Sequence, residues 1–246
     1  MKILITNDDG IDAYGLLLLE QLAKTISNDI TVVAPMDNRS GTSQAISLQN
    51  ELHFVHIRNN RYACSGNPAD CVMLALNLLF KDKRPDLVLS GINHGMNASD
   101  DVGYSGTVGA AREAAIVGIP AIAFSQRCGK LEEDFEVARK FGKRVFDHAR
   151  AVRLPARHVL NVNFPSTKIS AVKGIRSAIL DRHKMSDQII AGSKTNHFSI
   201  GPLNQRVETN SKSDRYFLEN GYVTFTPLLV DTTATALLNN IPEISL

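Results

Sequence analysis

The stretch KILITNDDG, residues 2–10, decides how the rest of the chain is read. Lys2 to Thr6 is an apolar, β-branched run of strand length. It stops abruptly at Asn7-Asp8-Asp9-Gly10, where two carboxylates stand side by side. Like charges that close repel unless something positive lies beside them. The next periodic segment, Tyr14 to Ser27, places Leu16, Leu19, Leu22, Ala23 and Ile26 on one face and reads as a helix. It leads to ITVVAP (30–35), apolar almost throughout, as a parallel strand covered on both faces should be. Strand, helix and parallel strand make a βαβ unit, with the acidic pair at the end of its first strand.

Outward from this unit the alternation continues. QAISL (44–48) reads as a third strand or one arm of a hairpin. PADCVMLALNLLF (68–80) is a helix with Pro68 at its first position and Asp70 in its first turn. It is preceded by Gly66-Asn67, and Cys71 is expected to be a core thiol facing Leu74 and Leu78. DLVLSG (86–91) is a strand, SGTVGAAREAAIVG (105–118) a small-residue helix and PAIAFS (120–125) a buried strand. A helix from about 134 to 150 and the strand HVLNVNF (158–164) follow. The pattern predicts an α/β fold, a mainly parallel sheet with helices on both faces. Residues 1–165 form this core. From 166 to 246 the chain turns polar and less periodic, and reads as an extension of arms or hairpin with a terminal helix at 232–241. Within it GYVTFTPL (221–228) alternates like an exposed or edge strand.

The 246 residues carry a net charge of +2, with 43% hydrophobic and 21% charged residues. That balance supplies no long-range field for nucleic acid or a membrane surface. No run approaches the ~20 apolar residues that span a bilayer. Cys64, Cys71 and Cys128 form no C-x-x-C pair, so neither a disulfide framework nor a zinc site is expected. Met1-Lys2 opens no signal peptide, and reduced thiols fit a cytoplasmic protein.

In open α/β sheets, ligands bind beyond the carboxyl ends of the strands. Three such ends converge here. The first brings Asn7, Asp8 and Asp9, the second Asp37, Asn38, Arg39 and Ser40, and the third Asn93, His94 and Asn97. Carboxylate, amide and hydroxyl oxygens suit Mg²⁺ or Mn²⁺, whereas zinc wants His or Cys. A cation between Asp8 and Asp9 also answers their repulsion. Asp-Asp-Gly is, equally, a common turn before a helix, Ser40 an ordinary loop serine, and Asn93 and Asn97 ordinary turn residues. The convergence of three strand ends favours the metal. His94 is expected to be structural or exposed.

Ser105-Gly106-Thr107 opens a helix whose first N–H groups and dipole would hold an anion, although Ser105 could simply cap it. Metal plus phosphate implies a phosphomonoesterase, with a metal-activated water attacking a phosphate held at the helix N-terminus. A covalent aspartyl phosphate ranks lower, because the chain has adjacent Asp8-Asp9 and no D-x-D spacing there.

NDDG, APxxxRSG, N-P-x-D-C, SGIN-x-G-x-N, YSGTV-x-AA and GYV-x-x-TPL, in this order from Met1 to about Asp231, together resemble the SurE survival-protein nucleotidases. The resemblance implies a Rossmann-like core with C-terminal extensions exchanged between subunits of a homodimer or homotetramer. It implies hydrolysis of nucleoside 5′- and 3′-monophosphates, with short-chain polyphosphate as a further substrate. It implies one divalent ion per subunit on Asp8, Asp9, Ser40 and Asn93, with Asp8 and Asp9 catalytic. Asn97, Ser105, Gly106 and Thr107 would complete the phosphate pocket. Asn67 and Met96 stand where many relatives carry Thr and Pro. The competing readings are a nucleotide-sensing module without turnover and a dinucleotide-dependent oxidoreductase. The second lacks its glycine fingerprint after the first strand.

Overall fold

A computed structural model describes residues 1–127, 135–182, 186–202 and 210–241. In chain order the core elements are β1 (Ile3–Thr6), α1 (Tyr14–Lys24), β2 (Ile30–Pro35), β3 (Phe54–Arg58), β4 (Arg61–Cys64), α2 (Pro68–Leu74), β5 (Leu87–His94), α3 (Gly106–Ile116), β6 (Ala121–Gln126), α4 (Glu136–Ala151) and β7 (His158–Phe164). They are followed by β8 (Gly174–Ser177), β9 (Ser186–Ala191), β10 (Phe198–Pro202), α5 (Asp214–Glu219) and β11 (Tyr222–Leu229). The main sheet has nine strands in the order β3-β4-β2-β1-β5-β6-β7-β11-β8. From β4 to β7 all neighbours are parallel.

Strand alternation in β1 splits the core in two. Ile3 and Ile5 join α1 and α4 through Leu16, Leu19, Val145 and Phe146. Leu4 points the other way, into a cluster with Val72 of α2 and Ala110 and Ala111 of α3. The chain leaves β1 for β2 on one side and later returns to β1's other side as β5. This reversal opens a crevice at the carboxyl ends of β1 and β5, the place where such sheets bind ligands.

Several sequence expectations change. QAISL is not a strand. Asp70 captures Ser47 there, accepting from its N–H at 2.9 Å and from its hydroxyl at 2.7 Å, so the segment folds as a loop on α2. The hairpin lies later, β3 and β4 turning at Asn59-Asn60, both with positive φ. The helix from Pro68 becomes a π-helical turn at Ala75–Leu79, which leaves Leu78 exposed, while Cys71 is buried as expected. The β11 strand is internal, antiparallel to β7 and parallel to β8, and the edge belongs to β8. After residue 166 the chain thus divides: β8, α5 and β11 extend the core, and β9 and β10 form a separate two-stranded sheet. Thr235–Asn240 is a short, exposed 3-10 helix. Cys128 and the first residue of the helix expected from 134 lie outside the described residues.

Candidate active site

The turn after β1 is locked by a buried side chain. Asn7 donates its amide to Gly10 O at 2.9 Å and accepts from Gly10 N–H at 3.3 Å. Gly10 adopts φ +110°, and a Cβ there would lie 3.4 Å from the Asp37 backbone. The turn therefore delivers Asp8 and Asp9 in a fixed pose. Asp8 is buried, and its carboxylate accepts from the Thr107 hydroxyl and the Thr107 backbone. Its carbonyl accepts from Arg39 N–H at 2.7 Å, which ties the loop after β2 to the crevice. Asp9 accepts from the His94 N–H at 2.9 Å.

Close approach of α3 to Asp8 depends on Gly106. A Cβ at that position would meet Asp8 Cβ at 2.9 Å, Asp8 Oδ2 at 3.0 Å and Pro68 Cγ at 3.1 Å. The first residue of α2 thus packs on the same corner. Burial pushes the Asp8 carboxyl up to about 6, and neighbouring Asp9 adds to the shift against the opposing Thr107 hydrogen bonds. Burial likewise raises Asp9, opposed by the His94 N–H. Among the described residues, neither carboxylate forms an ion pair with Lys or Arg.

The remaining expected residues fall around this pair. Asn93, at the end of β5, donates its amide to Gly95 O at 2.9 Å, which leaves its carbonyl oxygen for a cation. Ser40 is exposed, and its N–H is held by Asn38 Oδ1 at 2.8 Å, one residue beyond the Arg39–Asp8 link. No bond joins its hydroxyl to the acidic pair. Ser105 caps α3, accepting from Val108 N–H at 3.1 Å. His94 is exposed and takes part through its backbone.

Asn97 is held by a polar network that sequence reasoning missed. Its N–H donates to Asn163 Oδ1 at 2.8 Å and its amide to Ser125 Oγ at 2.8 Å. Its carbonyl accepts from Asn161 at 2.7 Å and Asn163 at 2.9 Å. The signal was present in HVLNVNF, where two Asn stand at alternate positions of a wholly buried strand end. A polar side chain there must find a partner.

Among the described residues, no three His, Cys, Asp or Glu side chains converge to hold a metal. The donor set here is of another kind: two adjacent carboxylates with no Lys or Arg partner among the described residues, beside amide and hydroxyl oxygens. Hard oxygen donors with uncompensated charge fit Mg²⁺ or Mn²⁺. No helix among the described residues is long and apolar enough to cross a membrane.

Comparisons with known proteins give the family. Residues 3–187 match the family described as Survival protein SurE. A protein of Pseudoalteromonas atlantica named 5′-nucleotidase SurE is 39% identical, covering 99% of this chain and 98% of its own. One of Vibrio parahaemolyticus with the same name is 41% identical over 95% of this chain and 90% of its own. The crystal structure of the SurE protein from Aquifex aeolicus superposes with a TM-score of 0.84 at 32% identity, covering 98% of both chains.

Proposed function

The chain belongs to the Survival protein SurE family, and from that premise we infer that it is a 5′-nucleotidase, releasing phosphate from nucleoside monophosphates. We further propose that the reaction depends on one divalent ion, Mg²⁺ or Mn²⁺, held by Asp8, Asp9, Asn93 and Ser40. The proposal extends to 3′-monophosphates and short-chain polyphosphate, and to a cytoplasmic homodimer or homotetramer.

The observation that carries this reading is the contact of Asp8 with the start of α3. One wall of the crevice thereby holds both a carboxylate suited to a cation and a helix N-terminus suited to a phosphate. When bound, the ion supplies charge neutralisation for the phosphoryl oxygens and acidifies a water. The chain's own residues do the rest. Thr107 fixes the rotamer of Asp8. The first N–H groups of α3 offset charge developing on the phosphoryl group. Thr107 is engaged by Asp8, and the Val108 N–H by Ser105 Oγ, so the Gly106 N–H and the Ser105 hydroxyl proton are the donors that the start of α3 offers to phosphate. Asn97, immobilised by Asn161, Asn163 and Ser125, orients the substrate from the other side.

Phosphate release from a panel of nucleoside 5′- and 3′-monophosphates, with Mn²⁺, with Mg²⁺ and with EDTA, tests the reading. Metal-dependent release that EDTA abolishes is expected. Nucleotide binding without release under any metal would replace the enzyme with a sensing module.

A further inference from the structure

The C-terminal segment sends one fully buried carboxylate toward the crevice. Asp214, first residue of α5, accepts from the Ser99 N–H at 2.9 Å on one oxygen. On the other it accepts from the Asp181 N–H at 3.1 Å and the Arg215 N–H at 2.7 Å. Its own N–H donates to Ile179 O at 2.8 Å. Burial raises its carboxyl, and the three backbone donors oppose that shift.

Ser99 sits in the loop that joins β5 to α3, between Asn97 and the Ser105-Gly106-Thr107 turn. It is buried and adopts a left-handed φ of 59°, which a non-glycine residue holds only when its surroundings impose it. Among the described residues, three sets of contacts clamp the loop. Asn97 is held from β6 and β7 by Ser125 and Asn163. Gly103 O and Tyr104 O accept from the Ser43 hydroxyl at 2.8 Å and the Ser43 N–H at 2.9 Å. Ser99 is held between them by the Asp214 carboxylate.

We propose that Asp214 is a positioning residue of the nucleotide site: through the Ser99 N–H it sets the loop that carries Asn97 and delivers the N-terminus of α3. The proposal rests on the nucleotidase reading. It also gives residues 166–246 a part in the site itself.

The three donors and two carboxylate oxygens make Asp214→Asn selective. With Asn, the carbonyl oxygen can retain both the Asp181 and Arg215 N–H groups, so the amide NH₂ faces the Ser99 N–H and that link is lost. Ser213→Ala is the control at the same junction. It removes the hydroxyl donated to Asp181 at 2.9 Å and the cap of Tyr216 N–H at 3.2 Å, and spares Ser99. The test compares the two variants by hydrogen exchange over 96–105, Mn²⁺ affinity, melting temperature, and KM and kcat on a nucleoside 5′-monophosphate. D214N is expected to speed exchange across the loop and raise KM about tenfold, with Mn²⁺ affinity within twofold of the parent. S213A is expected to lower the melting temperature and leave KM and the loop's exchange unchanged. Unchanged exchange in D214N, or a KM that moves in both variants in step with melting temperature, overturns the proposal. So does fast exchange of the Ser99 amide in the parent chain, a measurement that needs no variant. Absence of phosphate release by the parent would fall on the nucleotidase reading, whereas the exchange result judges the Asp214 anchor by itself.

Discussion

Asp8 shows at the scale of one residue how position makes chemistry. Its carboxyl rises to about 6, chiefly through burial. A carboxylate with a raised folded value costs stability above that value, and the cost vanishes below the unfolded value near 3.8. Metal-free protein should therefore lose stability as pH rises from about 4 to about 6, on the order of 3 kcal/mol in full. Asp8→Asn keeps the size and removes the charge. In EDTA it should melt above the parent at pH 7.5 and alongside it at pH 4, and its metal-dependent phosphate release should fall by roughly two to three orders of magnitude. Near-parental activity in Mn²⁺ would remove Asp8 from the ligand set. Thr107→Val takes a hydrogen bond from the Asp8 carboxylate, so it should weaken Mn²⁺ binding as well as raise KM. Calorimetric titration showing unaltered Mn²⁺ affinity would separate Thr107 from the metal site. The acidic pair was legible because strand ends in a parallel sheet face one crevice. Asn161 and Asn163 escaped notice because in one dimension they resemble any polar residue in a strand, and their partner lies over 60 positions away.

Elements hold these residues in place through close backbone contacts that composition does not reveal. Gly15 in α1 lies against β5, where an added Cβ would sit 1.9 Å from Ile92 O. Gly15→Ala must push α1 off the strand whose next residue is Asn93. A loss of about 2–4 kcal/mol is expected, read from the urea midpoint, together with reduced activity. A stability change under about 0.5 kcal/mol, the usual size for a neutral surface site, would show that the helix shifts freely. The βαβ elements were readable because fully buried strands are apolar throughout. QAISL alternates like a strand, yet Ser47 is engaged by Asp70, a long-range bond that outweighs local pattern. The β3–β4 hairpin did carry a local sign, Asn59-Asn60 between two β-rich runs, in residues that support left-handed turns. The alternation of β11 suggested one wet face. Instead Thr224 and Thr226 are buried like Val223 and Phe225, so both faces of the strand are covered.

For the molecule as a whole, the outstanding feature is apolar surface where the chain leaves the core. On the β9–β10 sheet Ile189, Phe198 and Ile200 are 68%, 68% and 71% exposed. Leu237, Leu238 and Ile241 are also exposed in and beside the last short helix. Apolar side chains gathered on an exposed hairpin are costly in water, and they make it the surface to test for the proposed assembly. A second copy of the chain is the occupant that closed symmetry favours, because each copy brings the same exposed hairpin. The hairpin contributes none of the residues assigned to the crevice, whereas Asp214, later in the same C-terminal segment, reaches it through Ser99. Assembly and positioning should thus be separable within residues 166–246. Light scattering of the parent should give a dimer or tetramer. The double change Phe198→Ser with Ile200→Ser should shift the mass downward and leave phosphate release per chain within about twofold. A monomeric parent, or a double variant of unchanged mass, would remove the hairpin from assembly. Release that fell with the mass would instead show that the crevice is complete only when a neighbouring copy supports it.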